Sequence, residues 1–159
     1  MTMTTLPEAA VSEDAVIRPA ARADFPPIEA LLAASHLPSI GASDLLDGFF
    51  VADNNGEIVG VVGLEHCARD YALLRSTAIA SEWRGRSLGR RLVERAMEDA
   101  KRRGIVSLYL LTTTAERYFP QFGFVTTRRE LVPAEVQATA EFRGACPASA
   151  TVMSVTLAS

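Results

Sequence analysis

The chain has 159 residues, of which 48% are hydrophobic and 22% charged, and its formal net charge is −3. This length and composition suit one soluble globular domain, and the acidic balance argues against general nucleic-acid binding. No stretch reaches the roughly eighteen apolar residues of a transmembrane helix, the start does not read as a signal peptide, and two cysteines are too few for a disulfide framework. We therefore expect a cytoplasmic protein with neither nucleic-acid nor membrane partners.

The first part of the chain predicts a tail, a helix and a hairpin. Residues 1–13 are small and polar, which is typical of disorder, and residues 14–159 form the expected single domain. A first strand at 15–18 is followed by Asp24, which is predicted to cap a helix that has prolines in its first turn. The clearest local signal is FFVADNNGEIVGVVGLE, a hairpin that turns at residues 53–56.

The rest of the chain predicts a strand–helix–strand unit and further strands. In SEWRGRSLGRRLVERAMEDAKRRG (81–104), apolar residues recur every four positions from Leu88 to Ala100, which indicates an amphipathic helix. Strands are predicted at 71–80, 106–112, 124–128 and 151–157, with short helical segments at 115–122 and 133–139. This order predicts an α/β fold (α+β), a mixed sheet with helices on both faces.

The start of the central helix is basic, although a helix N-terminus is already positive and disfavours cations by about 0.3–1 kcal/mol. The strand before it ends in a glycine-bearing turn, so that backbone N–H groups can converge on one anion. The spacing fits neither a nucleotide P-loop nor a dinucleotide fingerprint. We predict a pyrophosphate site, and the alternative is a solvated basic helix start. The residues concerned are Arg84, Gly85, Arg86, Gly89, Arg90 and Arg91.

These residues resemble the acetyl-CoA-binding motif of the GNAT (GCN5-related) N-acetyltransferases, whose pattern is Arg/Gln-x-x-Gly-x-Gly/Ala. Arg84 and Gly89 fit the pattern, whereas Ser87 stands where the pattern has glycine. AERYFPQFGF is similar to the family's second signature, matched by Gly123 and Phe124. The resemblance covers nearly the whole chain. It implies a mostly antiparallel twisted sheet of about six to seven strands and acetyl-CoA as donor, without a metal.

At finer grain, GVVGLE, ALLRS, YLLTTTAE and ATAEFRGACPASA look like the arsenic-resistance branch of that family. Siblings in that branch acetylate the α-amine of glutamate-like amino acids that carry phosphinic or arsinic groups. The resemblance thus implies acetyl transfer to a small anionic amino-acid-like acceptor by direct attack in a ternary complex, and it leaves a homodimer open. Acetylation of protein N-termini or lysines, and a non-catalytic acyl-CoA sensor, are the alternatives.

The resemblance also implies a donor site. The strand around Thr77 would part from its neighbour and pair with the pantetheine arm, with the Thr77 N–H polarising the acetyl carbonyl. The alternative is ordinary strand pairing, and for Thr112 the alternative to a pantetheine contact is capping of its strand. The expected donor-binding residues are Thr77, Ala78, Ile79, Arg84, Gly85, Arg86, Ser87, Leu88, Gly89, Arg90 and Thr112.

The acid and base of the reaction are less clearly marked. Phe119 occupies the position where many relatives have a tyrosine that protonates the leaving thiolate. Tyr118 is a candidate acid, but one residue turns it by about 100° on a helix, so packing is the preferred interpretation. The thiolate would then take its proton from water or from the amine. Glu65 and Glu141 are candidate bases, and each has the alternative of being a solvated surface carboxylate. Of the two, we favour Glu65.

Arg75 interrupts an otherwise apolar strand, where an unpaired buried arginine would be costly. We predict that it grips an acidic group of the acceptor bidentately, with a structural salt bridge to Glu65 or Glu141 as the alternative. On a regular strand Arg75 and Thr77 would share a face. Arg143 is a weaker second clamp. The expected acceptor-side residues are Arg75, Ser76, His36, Thr113, Glu141 and Arg143.

Metal binding is not expected. His36 and His66 stand apart, and the neighbouring pair His66 and Cys67 does not supply a zinc-ligand spacing. Cys67 and Cys146 would suit arsenite, but nothing in the sequence brings them together, so packing is the preferred interpretation.

Overall fold

A seven-stranded sheet organises the described residues, 15–39 and 41–157, of the computed structural model. The tail predicted at 1–13 lies outside the described residues. The strands are β1 (Val16–Pro19), β2 (Phe49–Asn54), β3 (Glu57–His66), β4 (Tyr71–Ile79), β5 (Ser107–Thr112), β6 (Val125–Thr126) and β7 (Thr151–Thr156). Their order is β1-β2-β3-β4-β5-β7-β6, and every neighbouring pair is antiparallel except β4 with β5. The predicted mixed, mostly antiparallel sheet is confirmed.

Helices cover both faces of this sheet, as predicted. They are α1 (Phe25–Ala34), α2 (Leu88–Arg102) and α3 (Ala134–Gln137), and a single π-helical turn follows at Glu141–Ala145. The apolar stripe of α2 packs with Leu64, Leu74 and Leu108 in the largest buried cluster. On the other face, α1 packs against β2 and β3 and α3 against β4. Burial of these apolar side chains on both sides fixes the sheet between the helices.

The predicted hairpin joins β2 to β3. Asn55 and Gly56 have φ values of 54° and 97°, the left-handed conformations that a two-residue hairpin turn requires. The Asp53 carboxylate accepts the Gly56 N–H at 2.7 Å, which adds a local bond to the turn. Local turn chemistry therefore sets the register of this strand pair.

Asp24 occupies the predicted N-cap position of α1, but the predicted capping bond is absent. Instead, its carboxylate accepts the Ala21 N–H at 2.7 Å and pairs with Arg18 at 2.7 Å. The charge-assisted bond from Arg18 competes successfully with neutral capping, and it holds the pKa of Asp24 below its ordinary value.

A β-bulge interrupts β4. Val61 of β3 pairs with Ala78 but Gly63 pairs with Arg75, so two residues of β4 oppose one of β3. Ser76, in the bulge, has a left-handed φ of 61°. Because of the extra residue, Leu74 and Ile79 pack on the same face although they are five positions apart. The regular alternation assumed for Arg75 and Thr77 does not hold here.

The parallel strands β4 and β5 separate partway along their length. They pair only from Tyr71–Leu73 of β4 to Ser107–Tyr109 of β5. Beyond this point β4 stays paired with β3, and β5 stays paired with β7. The separation opens a cleft, the space between the later halves of β4 and β5.

Candidate active site

The cleft encloses a cavity of about 970 Å³. Its walls are the later halves of β4 and β5, the first turn of α2, the chain after β5, the end of α1 and the π-helical turn. We call the end at the start of α2, where acetyl-CoA is predicted to bind, the donor end, and the end at the π-helical turn, where the acceptor is predicted to bind, the acceptor end.

Backbone conformation shapes the donor end. Gly85 and Ser87 both adopt left-handed φ values, 80° and 65°, immediately before α2 begins at Leu88. The Ser87 side chain makes no capping bond, so the first N–H groups of α2 are left for solvent or a ligand. Ser87 therefore takes the backbone conformation for which glycine is suited, and the turn forms in spite of this departure from the motif.

Two of the four predicted basic side chains face the cleft. Arg84 and Arg90 line it, at the positive end of α2. Arg86 instead lies over the Trp83 ring at 4.8 Å, and Arg91 donates to a backbone carbonyl before β1. Two of these arginines thus line the cleft and two contact other parts of the protein. Their charge alone did not predict this difference.

Gly89 and Tyr118 meet across the donor end. A Cβ atom on Gly89 would lie 3.1 Å from the Tyr118 hydroxyl oxygen, so the two sides of the cleft approach closely here. Burial raises the pKa of Tyr118, although the nearby Arg90 opposes the shift, and the phenol is therefore protonated at neutral pH. Phe119 is buried in the core beside it. Tyr118 thus lies in the cleft as a half-buried, protonated phenol.

Not all of the predicted donor-binding residues of β4 line the cleft. Thr77 and Ile79 line the cleft, whereas the Ala78 side chain is buried against the α1 face of the sheet. Thr112 also lines the cleft, and its hydroxyl accepts the Ala115 N–H at 2.9 Å. The hydroxyl thus makes the local bond of the capping alternative, and the contact of Thr112 with pantetheine stays a prediction.

Arg75 is the centre of a buried ionic network at the acceptor end. Its side chain is 1% exposed, with Nη1 lying 2.9 Å from Glu65 Oε1 and Nε 3.3 Å from Glu141 Oε2. Its Nε also donates to Ser76 Oγ at 2.9 Å. These ion pairs correspond to the salt-bridge alternative, with both carboxylates engaged at once, and Arg75 is not among the residues that line the cleft.

Glu141 is the carboxylate of this network that lines the cleft, whereas Glu65 does not line it. The Cys146 thiol, also in the cleft wall, donates to Glu141 Oε1 at 3.6 Å. Burial raises the pKa of Glu141, the Arg75 charge lowers it, and the Glu65 charge raises it again. The geometry thus favours Glu141 as a base over Glu65, the reverse of our preference from sequence.

The other predicted acceptor-side residues are divided. Ser76, Thr113 and His36 line the cleft. His36 has a left-handed φ of 57° where α1 ends, which turns the chain toward the cleft mouth. Arg143 is exposed and borders a separate shallow groove, so the expectation that it is a second clamp in the cleft is not met.

Sequence reasoning assigned no role to Trp83 and assigned Cys146 to packing, but both residues line the cleft. Trp83 is the single tryptophan of the chain and directly precedes Arg84, a signal that was available. Cys146 carried no such signal, and Cys67 packs elsewhere, in the cluster around Leu73.

Within the described part of the chain, His, Cys, Asp and Glu form no group suited to a metal ion. None of the described helices has the length and apolar character needed to cross a bilayer.

The described residues form a mixed sheet that opens between its two parallel strands, beside the N-terminus of α2. Residues 46–126, half of the chain, match the family model described as Acetyltransferase (GNAT) domain. The chain belongs to the GNAT acetyltransferase family.

Two curated relatives illustrate the extent of the similarity. The uncharacterized N-acetyltransferase CT2212 of Chlorobaculum tepidum is 30% identical over 88 residues, which cover 55% of this chain and 56% of that protein. The amino-acid acetyltransferase of Aeromonas salmonicida is 34% identical over 94 residues, which cover 58% of this chain and 21% of that protein. The chain therefore matches little more than half of the first relative and about a fifth of the second.

Solved structures share the fold. Rv2747 from Mycobacterium tuberculosis, determined in complex with CoA, matches with a TM-score of 0.78 at 21% identity over 90% of this chain and 99% of that chain. N-acetylglutamate synthase from Neisseria gonorrhoeae, complexed with coenzyme A and N-acetyl-glutamate, also matches with a TM-score of 0.78 at 21% identity, over 91% of this chain and 35% of that chain. At this identity the likeness establishes the fold.

Proposed function

We propose that the chain is an N-acetyltransferase that moves the acetyl group of acetyl-CoA to the amine of a small amino-acid-like acceptor. The observation that carries the proposal is the cleft, which joins an open strand edge and a free helix N-terminus to a buried carboxylate. Family membership supports the acetyl transfer. The relative named as an amino-acid acetyltransferase, and the structure of N-acetylglutamate synthase with its product, support the acceptor class.

The donor end suits the charged part of acetyl-CoA. The N–H groups at the start of α2, with Arg84 and Arg90, would hold the pyrophosphate. The absence of a side chain at Gly89 keeps the passage between α2 and Tyr118 open for the pantetheine arm. That arm would then follow the edge of β4 that faces away from β3, toward the bulge.

The bulge is where the acetyl carbonyl would be polarised. Backbone donors aimed at the carbonyl oxygen stabilise the negative charge that develops on it during attack, and the Thr77 N–H is our candidate for this role. The amine nitrogen attacks the thioester carbon, so that the C–N bond forms and the C–S bond breaks. The leaving sulfur gains a proton, for which the protonated Tyr118 hydroxyl and water are the candidate sources.

The finer prediction, an anionic acceptor with a phosphinic or arsinic group, rests on the sequence resemblance to the arsenic-resistance branch. The ion pairs of Arg75 with Glu65 and Glu141 weaken one of its supports, because the predicted clamp already holds two carboxylates. The organoarsenical acceptor, the homodimer and the cytoplasmic location remain predictions.

A transfer assay with a panel of amines tests the proposal. Purified protein is mixed with acetyl-CoA and with L-glutamate, its phosphinic and arsinic analogues, other free amino acids, or a lysine-containing peptide, and the release of free CoA thiol is followed. We expect transfer to at least one free amino acid and none to the peptide. Transfer to the peptide alone would favour the protein-acetylating alternative. Tight binding of CoA in calorimetry without any transfer would favour the sensor.

A further inference from the structure

Three charged side chains form a continuous buried network at the acceptor end, which we call the ionic triad. Glu65 on β3 pairs with Arg75 on β4, and Arg75 pairs with Glu141 on the π-helical turn. Their side chains are 16%, 1% and 5% exposed, respectively. Of the three, Glu141 lines the cleft. The ionic triad therefore extends from β3 to the wall of the cavity.

The charges of the ionic triad do not balance. Two carboxylates share one guanidinium, so ionisation of both leaves an excess negative charge beside the cavity. In a site shielded from water such an excess attracts a cation more strongly than it would in solvent. An alkyl amine near its ordinary pKa of about 10 is an ammonium ion at neutral pH, which is the form in which an amine acceptor arrives.

We propose that Glu141 binds the ammonium group of the acceptor and takes its proton, while Arg75 and Glu65 hold the Glu141 carboxylate in position. This inference rests on the proposed acetyl transfer and adds to it a base and a positioning pair.

Arg75 connects Glu141 to the bulge in β4. One atom, Arg75 Nε, lies 2.9 Å from Ser76 Oγ and 3.3 Å from Glu141 Oε2. Ser76 directly precedes Thr77, the candidate donor to the acetyl carbonyl. The carboxylate is thus linked through a single guanidinium nitrogen to the segment of β4 at which attack would occur, and it faces the cavity in which the amine would lie.

Both oxygens of the Glu141 carboxylate are anchored on the protein side. Oε2 faces Arg75, and Oε1 accepts from the Cys146 thiol. Burial raises the pKa of that thiol to about 12, so Cys146 stays protonated and remains a donor. The lone pairs that these contacts leave over are available to the acceptor.

The proton balance of the step is complete without a further reactant. The ammonium group transfers one proton to Glu141, and the resulting amine attacks the thioester carbon. The C–N bond forms, the C–S bond breaks, and the sulfur of CoA gains a proton from Tyr118 or water, which the second amine proton replaces. Glu141 then returns its proton to water. The groups that face Glu141 are Arg75 from β4, Glu65 from β3 and Cys146 from its own loop, and burial with Glu65 shifts its pKa toward that of the ammonium.

The pH profile of kcat/KM separates this step from simple binding of a free amine. The acceptor is L-glutamate or, if another amino acid of the panel reacts faster, that amino acid. In the wild type we expect activity to fall only as the pH drops through the pKa of Glu141, well below the pKa of the amine. In Glu141→Gln we expect a loss of about 100-fold or more at pH 7, recovering as pH rises toward the pKa of the amine. An identical profile in both proteins would overturn the inference.

Glu65→Gln is the matched control, because it removes the carboxylate of the ionic triad that does not line the cleft. The negative charge of Glu65 raises the pKa of Glu141, so its removal should move the acidic limb of the pH profile to lower pH. An unshifted limb would contradict the positioning role. Thermal unfolding and the affinity for CoA are measured on every variant to establish that each is folded and binds its donor.

A wild-type measurement keeps the test decisive if Glu141→Gln does not fold. Two acceptors with different amine pKa values are compared, and the acidic limb should be the same for both because it belongs to Glu141. A limb that follows the pKa of the amine would overturn the inference. No transfer by the wild type to any amine would contradict the proposed function itself, which is a different outcome.

Discussion

The two ends of the cleft are built in different ways. The donor end is a single stretch of chain, Arg84 to Arg90, whose main feature is a set of backbone N–H groups at the start of α2. The acceptor end is a side-chain network that β3, β4 and the π-helical turn assemble from distant parts of the sequence. A site made by backbone leaves a local motif in the sequence, whereas a site made by distant side chains does not.

The two ends also differ in solvent exposure. Arg84, Arg86 and Arg90 are exposed, so solvent screens their charges, whereas Arg75 is buried between two carboxylates. We therefore expect substitutions at the acceptor end to affect folding first, and those at the donor end to affect binding first.

The largest expected effect is that of Arg75→Met. Without the guanidinium, two carboxylates stay buried without their shared cation, and we expect the free energy of unfolding to fall by about 3–5 kcal/mol near pH 8. The deficit should shrink toward pH 4, because carboxylates whose pKa is raised in the folded variant become protonated there and no longer repel each other. Urea unfolding at several pH values measures it.

Arg86→Met at the donor end is the matched control for this prediction. Arg86 is exposed and contacts the Trp83 ring, so its loss should cost about 0.5–1 kcal/mol with little dependence on pH. If both variants lost the same stability, the contrast between the two ends would fail.

Gly89→Asp should break the donor end while leaving the fold intact. Its carboxylate would repel the phosphates, and its Cβ would lie 3.1 Å from the Tyr118 hydroxyl oxygen. A lost charged hydrogen bond of about 1.5–3 kcal/mol corresponds to a roughly 10- to 150-fold rise in the KM for acetyl-CoA. Stability should change little, because an acidic residue suits the first turn of a helix.

Gly89→Ala separates charge from bulk in the same experiment. It adds the same Cβ without a charge, so its effect on the KM should be the smaller one. An unchanged affinity for CoA in Gly89→Asp would contradict the assignment of the phosphate site.

The smallest expected effect is that of Ser87→Gly, which tests whether the donor end depends on backbone alone. Ser87 has a left-handed φ of 65°, which costs a residue with a Cβ about 1–2 kcal/mol. Glycine relieves this cost but gains entropy in the unfolded chain, so we expect a net stabilisation of up to about 1 kcal/mol. The KM for acetyl-CoA should not change, because the backbone N–H remains.

Gly85→Ala provides the reciprocal control. Gly85 has a φ of 80°, and a Cβ there would meet nothing within 4 Å, so any loss of stability reflects conformation rather than crowding. Stabilisation by Gly85→Ala, or destabilisation by Ser87→Gly, would contradict the conformational argument.

Much of the fold was predictable because its signals are local. The Asn55-Gly56 turn fixed the hairpin, and the apolar repeat from Leu88 to Ala100 fixed α2. The insertion of β7 between β5 and β6 was not predictable, because it depends on pairing between strands that are far apart in the sequence. The failed cap at Asp24 has a similar cause, since its competitor Arg18 comes from the preceding strand.

The site divides in the same way. The donor end followed from the motif, apart from Arg86, Arg91 and the Ala78 side chain, whose directions depend on tertiary packing. The choice between Glu65 and Glu141 required knowing which carboxylate faces the cleft. The bulge in β4 changes the facing of side chains beyond Arg75, and ALLRSTAIA carries no mark of the extra residue, because a bulge is defined by the partner strand.

The separation of β4 from β5 affects how much each part of acetyl-CoA contributes to its binding free energy. Beyond Leu73 the edge of β4 toward β5 is not paired with that strand, so water must satisfy its polar backbone groups. A pantetheine arm on this edge would replace water, and each such exchange contributes only about 0.5–1.5 kcal/mol. The strand edge would then set how far the thioester reaches along the cleft, while the phosphates supply most of the binding strength. Short thioesters without the nucleotide should therefore be poor donors even though their reactive carbon is the same.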